Sequence, residues 1–237
     1  MAMHDNALLF FWALTLWAAG RFVKTDDPRW FYLMGPAAGL CMQSKYTGAL
    51  AVACVFVFLL WSKPHRGRLL TKEPWIGVFL AFVFTVPILW WNFVHDWASL
   101  HHILFIGTGS PSVTRRLTDG LGYHLAQFLL VSPLFYPALV AACGSSAARN
   151  LFRPDPAHAL LLSFALPLAI FGLLAFKGHV EANWAFMGYV SAGILAVEVL
   201  LKGREHETGF LARFGRRYFR WAVAAAIAPV LLILFHA

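Results

Sequence analysis

Residues 176–184 read Phe176-Lys177-Gly178-His179-Val180-Glu181-Ala182-Asn183-Trp184, and they stand between two apolar runs, Ala159 to Ala175 and Ala185 to Val197. Each run is long enough, or nearly so, to cross the ~30 Å hydrocarbon core of a bilayer as a helix. A cation, an imidazole, a carboxylate, an amide and an indole within nine residues do not lie in hydrocarbon without a reason. The pattern predicts a short loop at a membrane face, with a helix on each side. Two readings of the loop stay open. In one, Lys177 snorkels and Trp184 sits at the interface, each anchoring a helix end. In the other, the five groups together build a site.

The rest of the chain repeats the pattern. Of its 237 residues 60% are hydrophobic and 13% charged, with a mean hydropathy of +0.66. A soluble domain carries about 25% charge, so this is an integral membrane protein. Further apolar runs cover Ala7 to Gly20, Trp75 to Val94 (with Pro87 inside), Leu121 to Cys143 (with Pro133 and Pro137 inside), Ala185 to Leu200 and Trp221 to Phe235. Trp30 to Trp61 is apolar but broken by Ser44-Lys45-Tyr46-Thr47-Gly48. The part before Lys45 covers roughly 22 Å at 1.5 Å per residue, too little for a full span. It predicts a two-helix hairpin with Lys45 at a recessed tip, where an amine suits an anionic ligand such as a phosphate. The alternative is a lysine that snorkels to the surface. Counting the hairpin twice gives eight crossings. The expectation is an all-α polytopic protein of about eight transmembrane helices, one transmembrane domain over residues 1–237, and no soluble domain. Within the mixed segment 99–120, Gly107-Thr108-Gly109-Ser110-Pro111 marks a loop, and part of the segment suits a helix lying on the membrane surface.

Charge orients the crossings. Fifteen of the nineteen Lys and Arg fall in one set of loops: Arg21 to Arg29, Lys63 to Lys72, Arg149 and Arg153, and Lys202 to Arg220. The positive-inside rule places these in the cytoplasm. The net charge of +8 then reflects membrane orientation, and a nucleic-acid partner is excluded. The other four cations, Lys45, Arg115, Arg116 and Lys177, fall on the outer face with Asp5, His95, Asp96, His179 and Glu181. Cys41, Cys54 and Cys143 lie in apolar runs without metal-ligand spacing and read as small buried hydrophobes. The N-terminus carries His4 and Asp5 where a secretory signal has a positive region.

The outer-face groups have definite chemistry. Asp5, Asp96 and Glu181 can act as a general base or hold a divalent metal. The cations can hold a phosphate. His4, His95, His101, His102 and His179 can do either. Trp90, Trp91, Trp97 and Trp184 suit sugar stacking or an interfacial belt.

Four patches in order along the chain carry a resemblance: His4 to Trp12, Gln43 to Gly48, Trp91 to Ser99, and Lys177 to Trp184. They resemble the bacterial membrane glycosyltransferases related to the dolichyl-phosphate-mannose–protein mannosyltransferases, glycosyltransferase family 39, with the lipid A aminoarabinose transferases as cousins. The resemblance implies a GT-C-like membrane fold in the bacterial inner membrane. It implies transfer of a sugar from a polyprenyl-phosphate donor to a lipid, glycan or protein acceptor at the periplasmic face. On this footing Asp5, Asp96 and Glu181 are the catalytic candidates, with Asp5 at a supporting or metal-associated position. Lys45, His95, Lys177, His179 and Trp184 are the substrate-contact candidates. A divalent metal ion is the only cofactor the resemblance admits, and no ligand set for it is assigned. The family's principal carboxylates lie in a first outer loop, and this chain begins at the second acidic position. The expectation is therefore the C-terminal part of a longer enzyme. Two other classes stay in view: a transporter or flippase for a lipid-linked or anionic substrate, and a non-catalytic membrane subunit.

Overall fold

The computed structural model describes residues 4–105, 112–152, 154–178 and 180–206, together with residues 218 and 221. The described residues form helices and turns and contain no strand. Helix α1 (His4–Thr25) stops where Asp26 takes a left-handed conformation (φ 52°). Asp27 then caps the next turn, its carboxylate accepting from the Arg29 N–H, and Pro28 follows it.

Helix α2 (Phe31–Ser44) runs back along α1 and ends at Lys45, whose backbone is extended. A 3-10 turn (Tyr46–Ala49) leads into α3 (Leu50–Trp61), which packs alongside α2 and completes a hairpin. The tip closes because Gly48 lies directly on the Cys41 peptide. A Cβ there would stand 2.2 Å from the Cys41 carbonyl carbon and oxygen, a clash with backbone that no rotamer relieves. At 1.5 Å per residue α2 and α3 reach roughly 21 and 18 Å, short of the bilayer core.

Helix α4 (Lys72–Val94) crosses α2 at close range. Gly35 meets the Gly77 carbonyl and Gly39 the Ala81 carbonyl, with room for no Cβ at either glycine. This is the small-residue contact by which helices pack in membranes. The outward side of α4 exposes Trp75, Phe79, Phe82, Phe84, Trp90 and Phe93. Water would not tolerate so continuous an apolar face, whereas lipid does.

After α5 (Ala98–Phe105), helix α6 (Val113–Val131) is followed by α7 (Phe135–Phe152) at a bend of 108°. Ser132 (φ 129°) and Pro133 make the corner, and the Ser132 hydroxyl accepts from the Leu134 and Phe135 N–H groups. The run Leu121 to Cys143 is thus two segments and not one straight span. Helix α6 packs on α7, on the helix Pro156–Leu174 and on the Ala182–Ala185 turn. It buries Gly120, Tyr123 and Gln127 and exposes Val113, Leu117, Leu121, Leu125 and Leu129 along a single stripe.

Helix α8 (Pro156–Leu174) starts at an Asp155 cap and packs antiparallel to α1, with the Phe164 ring edge-on to Trp12. A 3-10 turn (Ala182–Ala185) and α9 (Gly188–His206) complete the described chain. Tyr218 donates to the Leu134 carbonyl, so this residue lies at the α6–α7 corner, although the charge pattern places its basic neighbours with the opposite loops.

Three described helices, α1, α4 and α8, are long and apolar enough to cross a membrane, and a fourth counts if α6 and α7 are one bent span. The apolar runs predict eight crossings. The two numbers part because α2, α3 and the apolar part of α9 are short, because the 121–143 run is bent, and because the run after Trp221 lies outside the described residues.

Candidate functional site

Asp5 sits in the first turn of α1, where the unpaired N–H groups of a helix start favour a carboxylate. The hairpin tip brings Lys45 to it. Lys45 Nζ lies 2.8 Å from Asp5 Oδ1, and the two side chains are only 19% and 15% exposed. The turn between α8 and α9 brings a third group, with Asn183 Nδ2 donating to Asp5 Oδ2 at 3.0 Å. One carboxylate thereby joins stretches 40 and 178 residues apart. The Lys45 ammonium lies on Asp5, and most of the side chain is buried.

A second tether ties the tip to the end of α4. Asn92, 2% exposed, donates from Nδ2 to the Tyr46 hydroxyl at 2.6 Å and to the Ile88 carbonyl at 2.9 Å. All four sequence patches therefore meet at one end of the bundle. The oxygens Gln43 Oε1, Thr47 Oγ1, Asn92 Oδ1 and Asn183 Oδ1 are buried here without a hydrogen-bond partner among the described residues. An unmatched buried polar atom costs about 1–3 kcal/mol.

The remaining predicted residues surround this centre to different degrees. Glu181 is exposed and opens the turn that carries Asn183. Lys177 is exposed at the end of α8. Neither side chain makes a hydrogen bond or ion pair among the described residues. Trp184 is half-buried, edge-on to Phe171 with centroids 5.9 Å apart, so its ring packs the turn onto α8. His95 caps α4: its Nδ1 is 2.7 Å from the Trp91 carbonyl, and its ring stacks on the Trp91 indole at 4.1 Å. Asp96 and Trp97 follow in consecutive left-handed conformations (φ 50° and 57°), both exposed. Two adjacent non-glycine residues in that region carry strain, which concentrates at functional loops. His179 lies outside the described residues, as do the side chains of His4 and His102.

Among the described residues no three His, Cys, Asp or Glu side chains gather as a metal site. Both Asp5 oxygens accept from nitrogen donors. The described residues do not form a ready ligand set for a metal.

Asn92, Asn183 and Tyr46 fell inside the sequence patches without a role. Gln127 fell in none. Its signal was an amide inside the apolar run 121–143, where a polar side chain needs a partner. Its partners are now visible: Gln127 Nε2 donates to the Ala182 carbonyl at 2.7 Å, and the Tyr189 hydroxyl donates to Gln127 Oε1 at 2.6 Å.

The opposite end has a different character. Arg68 pairs with Asp26 at 2.7 Å, and the Ser62 hydroxyl lies 2.8 Å from His65 Nδ1. These contacts tie the basic loops together.

Comparison with known proteins shows what the chain is similar to. Residues 1–91 match the family model for dolichyl-phosphate-mannose-protein mannosyltransferase. That match holds Asp5, Lys45 and Tyr46, three of the residues gathered at the site. Two curated relatives extend the likeness. The lipid A galacturonosyltransferase RgtD of Rhizobium johnstonii is 30% identical over 197 residues, covering 83% of this chain and 40% of that protein. The lipopolysaccharide core galacturonosyltransferase RgtA of the same organism is 23% identical over 241 residues, covering 98% of this chain and 46% of that protein. These likenesses support a glycosyltransferase of the GT-C type. The chain spans less than half the length of these relatives. No solved structure matches it.

Proposed function

We propose that this chain transfers a hexuronic acid, of the galacturonic type named in its relatives, from a polyprenyl-phosphate carrier to a lipid A or lipopolysaccharide-core acceptor. The reading places the reaction at the periplasmic face of a bacterial inner membrane, with about eight crossings in residues 1–237. The observation that carries it is the junction of Asp5, Lys45 and Asn183, three polar groups from three separate stretches gathered at one end of an apolar bundle.

The chemistry follows from the groups present. An acceptor hydroxyl attacks the anomeric carbon as the bond from that carbon to the phosphate oxygen breaks. The electron pair leaves with the phosphate, and the hydroxyl proton passes to a carboxylate. Lys45 has three N–H donors and uses one on Asp5; the other two suit the phosphate as its charge grows. Lys177, with His179 beside it in sequence, supplies a second cation. Asp5 and Asn183 aim Lys45. Glu181, exposed beside Asn183, takes the proton. Asp96 and His95 bound the site at the end of α4, and Trp184 holds the turn in place.

The test uses the full protein in proteoliposomes with a labelled polyprenyl-phosphate hexuronate and lipid A. Label is expected in the lipid A product with wild type and not with Lys45→Ala. Movement of the intact carrier across the bilayer without label in lipid A would replace this reading with a transporter.

A further inference from the structure

Asn183 reaches Asp5 only if the turn Ala182–Ala185 is held in place, and its apolar anchors are Ala185 and Trp184. Ala185 is buried against Tyr123, Phe171 and Ala175. Gln127 is the polar group that grips the turn. It is 1% exposed and uses both ends of its amide: Nε2–H goes to the Ala182 carbonyl, and Oε1 accepts from Tyr189 on α9. The residue after Ala182 is Asn183, whose Nδ2 holds Asp5. Helix α6 supports the grip, because Gly120 is small enough for the Phe176 ring to lie on its Cα and Tyr123 packs below it. The exposed face of the same helix is the apolar stripe Val113, Leu117, Leu121, Leu125 and Leu129.

We propose that Gln127 is a positioning residue for sugar transfer: it fixes the 182–185 turn to α6 and α9 and so sets Asn183 on Asp5. The inference rests on the glycosyl-transfer reading of the Asp5–Lys45 centre. A glutamine has the required pattern, one donor and one acceptor on a single planar group. A leucine of similar size has neither. A glutamic acid has both when protonated, but when ionised it cannot donate to Ala182. Burial favours the protonated acid.

The experiment compares wild type, Gln127→Leu and Gln127→Glu in proteoliposomes, measuring transfer from a labelled polyprenyl-phosphate hexuronate to lipid A across pH. Hydrogen exchange of the 181–187 peptide is followed in the same samples. Misplacing a catalytic constellation by an ångström costs about a hundredfold in rate. Gln127→Leu is therefore expected to lose about that factor in kcat at every pH with little change in donor KM, and to exchange faster at 181–187. Gln127→Glu is expected to approach wild type at acid pH and to fall towards the leucine variant as pH rises. Transfer by both variants at the wild-type rate, with unchanged exchange at 181–187, would overturn the inference. Lost protection spread through α1, α2 and α8 would also overturn it, making Gln127 a general packing residue. A wild-type chain that transfers no sugar defeats the glycosyl-transfer reading instead, and exchange at 181–187 then decides alone whether Gln127 holds the turn.

Discussion

Replacing Lys45 with Met separates what the Asp5–Lys45 pair does for the fold from what it does for the donor. The pair is 2.8 Å long with both side chains more than four-fifths buried. Removing one partner of such a pair leaves a charge unpaired in a poorly solvated place, which costs about 3–5 kcal/mol when burial is complete. Asp5 keeps Asn183 and some solvent, so the cost here should be about 3 kcal/mol, at the lower limit of that range. For a chain of this size 1 kcal/mol moves the melting point by about 2–4 °C. Lys45→Met is then expected to melt about 6–12 °C lower in detergent micelles. The double variant Asp5→Asn, Lys45→Met removes both charges and should recover most of that loss, because a buried pair is worth little net stability against neutral groups.

Donor binding should behave differently. A hydrogen bond from an ammonium to a phosphate contributes about 1.5–3 kcal/mol, or roughly tenfold to a hundredfold in Kd. Lys45→Met should lose that factor, and the double variant should not regain it. Melting would be followed by intrinsic fluorescence and binding by isothermal titration with polyprenyl phosphate. A double variant that binds donor as tightly as wild type would refute the phosphate contact. Stability losses that simply add in the double variant would refute the pairing of Asp5 with Lys45, since contacting residues couple and distant ones do not.

Three further outcomes follow from other parts of the molecule. Gly48→Ala places a Cβ 2.2 Å from the Cys41 peptide; opening the hairpin tip should lower stability by about 3 kcal/mol or more and reduce donor binding with it, read by melting and titration together. At Asp155 burial alone would raise the carboxyl, but hydrogen bonds from His158 and the Ala157 N–H outweigh it and hold the group below 3.8. Its stabilisation is therefore present above the unfolded value and lost as pH falls through the lower folded one, so Asp155→Asn should flatten the acid limb of the melting profile below about pH 4. Because no three metal-ligating side chains gather among the described residues, transfer is expected to survive treatment with EDTA; a loss restored by added divalent ion would show that transfer requires a metal.

The parts of this fold visible in the sequence are those set by hydropathy and by breaks in it. The hairpin at Lys45 was legible because four polar or small residues interrupt an apolar run at a length too short for one span on either side. The end of α1 at Asp26-Asp27-Pro28 was legible because a proline and two acids stop a helix. The corner at Ser132 was not, since Ser-Pro inside an apolar run fits a kinked span as well as a 108° bend. What decides between them is the face of α6: leucines four residues apart with Tyr123 and Gln127 between them need one side covered and one side in lipid. The close crossing of α2 and α4 was written as Gly35-x-x-x-Gly39 against Gly77-x-x-x-Ala81, a spacing meaningful only once the two helices are known to meet.

The site was legible to a different depth. Charged residues stand out in an apolar chain, so Asp5, Lys45, Lys177 and Glu181 were conspicuous. The amides that tie them were not, because an asparagine or glutamine carries no charge to mark it. Yet the structure assigns the connecting work to amides: Asn183 to Asp5, Asn92 to Tyr46, and Gln127 to Ala182. Each can donate and accept at once without the desolvation penalty of a charge, which suits a tether beneath the membrane surface. An ion pair in those places would compete with Lys45 for Asp5. Neutral tethers leave that pair intact.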